Sequence, residues 1–191
     1  MKVFFSIFIA LSILLTYSNT TFAQSQKKEQ NEDDKFKDES VEKLKFFKEK
    51  YDTVYDAPFD IVYKATKKSI EELNCLVSKS TFSQTETGFY KGLIRSDYCV
   101  FSDGKDTTFE VLNKYSLNMP SVRGGRWDNG RSQYKFTILE LPDGKVSLEL
   151  KGDVSGYESY ATNQYHFWRS NGILETRMMA NVRKKIVEFM K

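Results

Sequence analysis

Two alternating segments, Gln133–Leu141 and Lys145–Val154, flank Pro142-Asp143-Gly144 and constrain this chain more than any other feature. Proline presets one backbone angle of a turn, and Asp-Gly supplies the side-chain acceptor and the positive angle that close it. Tyr134, Phe136 and Ile138 alternate with polar residues, as do Val146, Leu148 and Leu150. Successive strand side chains point to opposite faces, so the pattern predicts a hairpin with one apolar face. Such a ribbon is marginal by itself. It needs more strands beside it and a cover over its apolar side.

Candidates for both are present. Tyr51–Tyr55 alternates, with Tyr51, Thr53 and Tyr55 on one side. Cys75–Ser83, Gly92–Phe101 and, after an Asp103-Gly104 turn, Thr107–Leu112 read as strands. Tyr157–Trp168 reads as one more, dense in aromatic residues. A short helix starts near Ser40, with Val41, Leu44, Phe47 and Tyr51 on one side. A second runs from Asp56, a cap candidate, through Pro58 in its first turn to about Leu73, with Asn74 just past the end. Its stripe is Phe59, Val62, Tyr63, Thr66, Ile70 and Leu73. Residues 170–191 form a closing helix capped by Ser170-Asn171-Gly172, with Glu175 in the first turn. Leu174, Met178, Val182, Ile186 and Phe189 are its apolar stripe. The predicted fold is α+β: an antiparallel sheet with a helix from the N-terminal half and a long C-terminal helix packed on one face.

The chain begins as an exported protein does. Lys2 precedes about 13 mostly apolar residues, Val3 to Leu15, too short to span a bilayer comfortably. Thr21 and Ala23 place cleavage between Ala23 and Gln24, and no lipobox cysteine follows. Residues 1–23 are therefore read as a signal peptide. Residues 24–39, nearly all polar or charged, are read as a disordered linker, and 40–191 as a single domain. The location implied is periplasmic or secreted, with no transmembrane segment after cleavage.

Composition narrows the chemistry. With 29 Lys+Arg against 26 Asp+Glu, the charge of +3 is too balanced for a dedicated nucleic-acid binder. A single histidine excludes sites that need two, and two cysteines exclude Cys-rich metal clusters. No metal or cofactor is implied. The run Asn31-Glu32-Asp33-Asp34 lacks the spacing of a calcium loop. In an oxidising compartment Cys75 and Cys99 become disulfide candidates. A hairpin centred on Thr87 sets them opposite each other; the alternative is two buried free thiols. Closing that loop stabilises by about 3–4 kcal/mol in the chain-entropy model.

Two features carry possible function. His166, in Tyr165-His166-Phe167-Trp168, reads as a packed sheet residue, with no nucleophile motif near it. The stretch Val122 to Arg131 holds three arginines, three glycines and a tryptophan, and is read as a mobile loop between strands. Arginine forks and exposed indole anchor partners well, so Arg123, Arg126, Trp127 and Arg131 are the candidate partner-binding residues.

Over about residues 50–191 the element order, with Tyr55–Leu73 and Ser170–Ile186 as its two helical segments, resembles two helix-grip families. One is the START-like ligand-binding superfamily; the other is the BamC-like fold of envelope accessory proteins. BamC-type proteins are usually lipid-anchored, and this leader departs from that pattern. The first resemblance implies an apolar cavity; the second implies an accessory role. The reading that follows is an exported, non-catalytic binding or accessory domain of the cell envelope, not an enzyme, with an envelope protein as partner. The alternative is a small carrier of an apolar molecule. A cavity of about 300 Å³ under the C-terminal helix favours the carrier, and a filled core with an exposed Trp127 patch favours the binding module.

Overall fold

The Pro142-Asp143-Gly144 turn forms as its sequence dictates. Leu141 N–H donates to Lys145 O, Gly144 N–H to Leu141 O, and Asp143 Oδ1 accepts from Lys145 N–H. From it run the two longest strands, β5 (Trp127–Glu140) and β6 (Val146–Glu158), in register with Ile138 opposite Leu148 and Phe136 opposite Leu150. All four of these side chains are buried. This computed structural model describes residues 44–191; the expected signal peptide (1–23), the expected linker (24–39) and the first residues of the expected helix near Ser40 lie outside them.

Each long strand pairs outward with two short ones. Along β5 lie β3 (Tyr90–Ser96) and β4 (Cys99–Asp103); along β6 lie β1 (Tyr51–Tyr55) and β7 (Gln164–Trp168). β2 (Val77–Gln84) pairs with β3 and completes a seven-stranded sheet in which every pairing is antiparallel. Helix α1 (Phe59–Glu71) and the C-terminal helix, α3 (Ile173–Phe189), cover one face. The remaining helix, α2 (Phe109–Asn113), is one short turn. Val62, Ala65 and Ile70 of α1 and Met178, Val182 and Ile186 of α3 meet Ile94, Phe136, Ile138, Leu148 and Leu150 in one core. The four buried apolar side chains of α3, Leu174, Met178, Val182 and Ile186, contribute roughly 6–12 kcal/mol gross, an upper bound. Phe189 of the expected stripe is exposed, as is Leu73 of the other.

The β2–β3 hairpin is centred on Thr87, with Phe82 opposite Gly92 and Gln84 opposite Tyr90. Cys75 and Cys99 are joined in a disulfide with Cα atoms 5.2 Å apart. Its route differs from a simple two-strand rung. A register shift between Val77 and Lys79 and a break after Ser96 move Cys99 into β4, opposite Ser132 of β5. Asp97 makes the break: its N–H donates to Leu76 O and its carboxylate accepts from Tyr98 N–H.

Five local expectations change. Thr107–Leu112 is not a strand: Thr108 Oγ1 caps α2 by accepting from Val111 N–H, and Leu112 drops over Gly130, where any Cβ would collide with it. Tyr157–Trp168 is not one strand but the end of β6, a turn and β7. Residues 127–131 are strand, not loop, because Trp127 is drawn into a second core with Leu112, Val154, Trp168 and Leu174. Helix α1 is capped without Asp56; Pro58 takes the cap position, with extended backbone, and accepts from Val62 N–H. The segment before β1 makes a single turn, Phe47 N–H donating to Leu44 O, and is not helical as far as Tyr51.

Candidate functional site

The four residues of the Arg/Trp stretch do not share a surface. Arg123 and Arg126 are exposed at the turn before β5, and Arg126 pairs with Asp128 at 3.6 Å. Trp127 is only 5% exposed, edge-on to Trp168 and His166 at 5.6 and 5.5 Å. Arg131 lies on the opposite face of the sheet because an extra residue between Trp127 and Asn129 interrupts the alternation of β5. There its guanidinium sits between the rings of Tyr98 and Tyr165, 3.9 and 3.4 Å from their centroids, and Nε donates to Ser155 Oγ. Phe167 and Val100, on the same face by strand register, are exposed.

His166 Nε2 is 2.7 Å from Thr162 Oγ1, in the turn that joins β6 to β7. That turn is organised by Glu158, whose side chain is fully buried. Its carboxylate accepts from the N–H groups of Arg126, Tyr160, Ala161 and Thr162 and from Thr162 Oγ1. Burial pushes its pKa up, but the backbone donors outweigh burial and hold it well below the usual carboxylate range. This is an internal cap for a chain reversal.

A different part of the molecule gathers exposed apolar surface. Phe59 and Tyr63 lie one helical turn apart on α1, and Phe82 and Tyr90 face them from β2 and β3. Phe59 stacks with Tyr63 at 5.8 Å and approaches Tyr90 at 5.4 Å, while Phe82 meets Tyr63 edge-on at 5.5 Å. Gly92 makes this possible: a Cβ there would stand 3.0 Å from the Tyr63 ring and 3.1 Å from that of Phe59. The four rings line a groove of about 620 Å³ between helix and hairpin. Phe82 is 61% exposed and Tyr90 40%, so half of the cluster faces solvent. The rim is polar. Asp60 pairs with Lys64 at 3.3 Å, Glu140 accepts from Tyr90 N–H, and Lys67 has no ion-pair partner among the described residues. The Tyr63 and Ser80 hydroxyls bond each other at 2.5 Å.

A smaller recess, about 330 Å³, lies beneath α3 between Leu73, Phe101, Tyr134, Leu174 and Met178, with Arg177 and Asn181 also lining it. Burial pushes the Tyr134 hydroxyl up to about 12, so it stays a neutral hydrogen-bonding group. Among the described residues no group of three or more His, Cys, Asp or Glu side chains is arranged to hold a metal. No helix among them is long and apolar enough to cross a membrane.

Sequence reasoning places Phe59 and Tyr63 on an apolar helical stripe and singles out neither Phe82 nor Tyr90. The signal it missed was available. A hairpin centred on Thr87 sets Phe82 opposite Gly92, and a glycine beside an aromatic on one strand pair marks a place where another element comes close.

The fold and groove define an α+β domain with an open antiparallel sheet and a solvent-facing aromatic cleft at one end. No protein-family model, curated protein or solved structure matches the chain.

Proposed function

We propose that this chain is an exported, non-catalytic binding domain of the cell envelope that takes an apolar small molecule or acyl-like chain in the groove between α1 and β2–β3. One observation carries the reading: four touching aromatic rings line an open groove of about 620 Å³, and two of them, Phe82 and Tyr90, are exposed. Exposed rings gain free energy when an apolar surface covers them, and the volume lies in the range of small-molecule sites. The recess beneath the C-terminal helix exceeds 300 Å³ and Trp127 is buried, which favours a carrier over a Trp127 docking patch. Arg177 and Asn181 make that recess the less apolar of the two.

Native mass spectrometry of the protein purified from its own host tests the proposal. The expected spectrum carries a bound organic mass that disappears in the double variant Phe82→Ala, Tyr90→Ser. Retention of the same mass by the folded double variant would contradict it.

A second reading, an envelope protein as partner, rests on the other sheet face. There the Arg131 guanidinium, stacked between Tyr98 and Tyr165, has no carboxylate partner among the described residues, and exposed Phe167 and Val100 flank it. A co-purifying protein lost on Arg131→Ala, with the groove variants unaffected, supports this reading instead.

A further inference from the structure

A third cavity, about 250 Å³, opens where β1, β6 and β7 approach the start of α3. Its chemistry differs from that of both apolar recesses. Glu175 lines it and is 2% exposed, although it belongs to the first helical turn, where an acid ordinarily faces solvent. It points inward because Gly152 of β6 leaves room. A Cβ at Gly152 would collide with Glu175 Oε1. The carboxylate accepts from a hydroxyl: Ser170 Oγ donates to Oε2 at 2.7 Å and itself accepts from Gly172 N–H at 3.0 Å. No Lys, Arg or His pairs with it among the described residues.

A buried acid without a countercharge is costly, and chains seldom keep one unless something pairs with it. Burial, with a smaller contribution from nearby Asp153, pushes the Glu175 pKa up. The walls beside it are aromatic: Phe47, Tyr51 and Trp168. Trp168 Nε1 is buried with no hydrogen-bond partner among the described residues. Rings of this kind receive organic cations on their faces.

The charged residues of the lining divide by depth and by pairing. Lys151 is tied to Glu149 at 3.3 Å, and Asp153 is tied to Lys135. Lys48, Glu49 and Arg169 are exposed residues of the lining without ion-pair partners among the described residues, Arg169 lying over the Phe47 ring at 5.0 Å. The floor is therefore acidic, and two of the three free charges at the mouth are basic.

We infer that this cavity binds a small zwitterion of the α-amino acid class, its ammonium against Glu175 and its carboxylate toward Arg169 and Lys48. The volume of about 250 Å³ is enough for one such molecule. The inference is independent of the aromatic groove, since the two sites share no lining residue.

Isothermal titration of the chain as its host exports it, with each of the twenty common α-amino acids in turn, tests the inference. At least one should bind at millimolar concentration or tighter. N-acetylating it removes the positive charge and should weaken binding about 30-fold or more, the usual penalty for stranding one member of a buried charged pair. Glu175→Gln should lose the difference between the amino acid and its N-acetyl form, and Arg169→Ala should weaken binding of both. Phe82→Ala should change nothing. No heat with any of the twenty, equal binding of the N-acetyl form by the natural protein, or an unaltered preference in Glu175→Gln would each overturn the inference. The comparison of the two ligand forms needs no variant, so it holds whether or not Glu175→Gln folds well.

Discussion

The two ends of the sheet carry similar aromatic clusters in opposite states. At one end Trp127, Trp168 and His166 pack edge to face and are closed over by α2 and the chain around Tyr115, Met119 and Val122. At the other, Phe59, Tyr63, Phe82 and Tyr90 make contacts of the same length, yet Phe82 and Tyr90 stay open to water. The difference is a cover. The chain inserts residues 104–126 between β4 and β5 at the first end and only a short turn at the second. Aromatic surface that the fold closes is core, and aromatic surface that it leaves open at no structural need is where a ligand gains most.

That contrast can be broken at several points. The largest effect should come from deleting residues 174–191, which strips the buried Leu174, Met178, Val182 and Ile186 from the two hydrophobic cores. Soluble expression and the near-ultraviolet circular dichroism signal should both be lost; a folded truncation would mean that α3 is an accessory. Next comes Trp127→Ala, which should cost about 3–5 kcal/mol in urea unfolding, as expected for a large core side chain. A cost under about 1 kcal/mol would show that the closed end is not core. Reducing the Cys75–Cys99 bond should cost about 3–4 kcal/mol, because it releases a loop of 24 residues in the unfolded chain. Phe82→Ala should be smallest, within about 1 kcal/mol, since the ring is mostly solvated already.

Two buried acids sharpen the comparison through pH. Glu158 is held low by its donors, so its contribution to stability is full above the unfolded carboxylate pKa and fades as pH falls. Glu175 is pushed up by burial, so its contribution has the opposite sign: stability is full below the unfolded pKa and is lost as pH rises through the folded value. Glu158→Gln should therefore destabilise at neutral pH and flatten the acid side of the stability curve. Glu175→Gln should stabilise at neutral pH. Thermal midpoints from pH 3 to 8 check both, and the same sign for the two variants would contradict the assignment.

Much of the fold was legible because it is local. The Pro142-Asp143-Gly144 turn fixes the register of β5 and β6, and the centre at Thr87 fixes that of β2 and β3, and with it the approach of Cys75 to Cys99. What was not legible depends on distant partners. Thr107–Leu112 is too short for periodicity to separate strand from helix, and the cap at Thr108 together with the space over Gly130 decides it. Trp127 read as loop because its burial comes from Trp168, Leu112 and Leu174, none of them near in sequence. The groove was half readable: α1 supplies two of its rings as a helical stripe, while the exposure of Phe82 depends on how α1 packs against the β2–β3 hairpin. Glu175 fitted a helix-dipole role in the sequence, and only the packing of α3 against Gly152 turns it inward.

A fluorescence titration with the neutral apolar dye N-phenyl-naphthylamine probes the open aromatic cluster itself. The natural protein should bind the dye saturably at a single site, weakened at least about tenfold in Phe82→Ala, Tyr90→Ser, which corresponds to the roughly 1.4 kcal/mol expected from losing two ring contacts. Identical binding curves for the natural protein and the folded double variant, or no saturable binding by either, would contradict it.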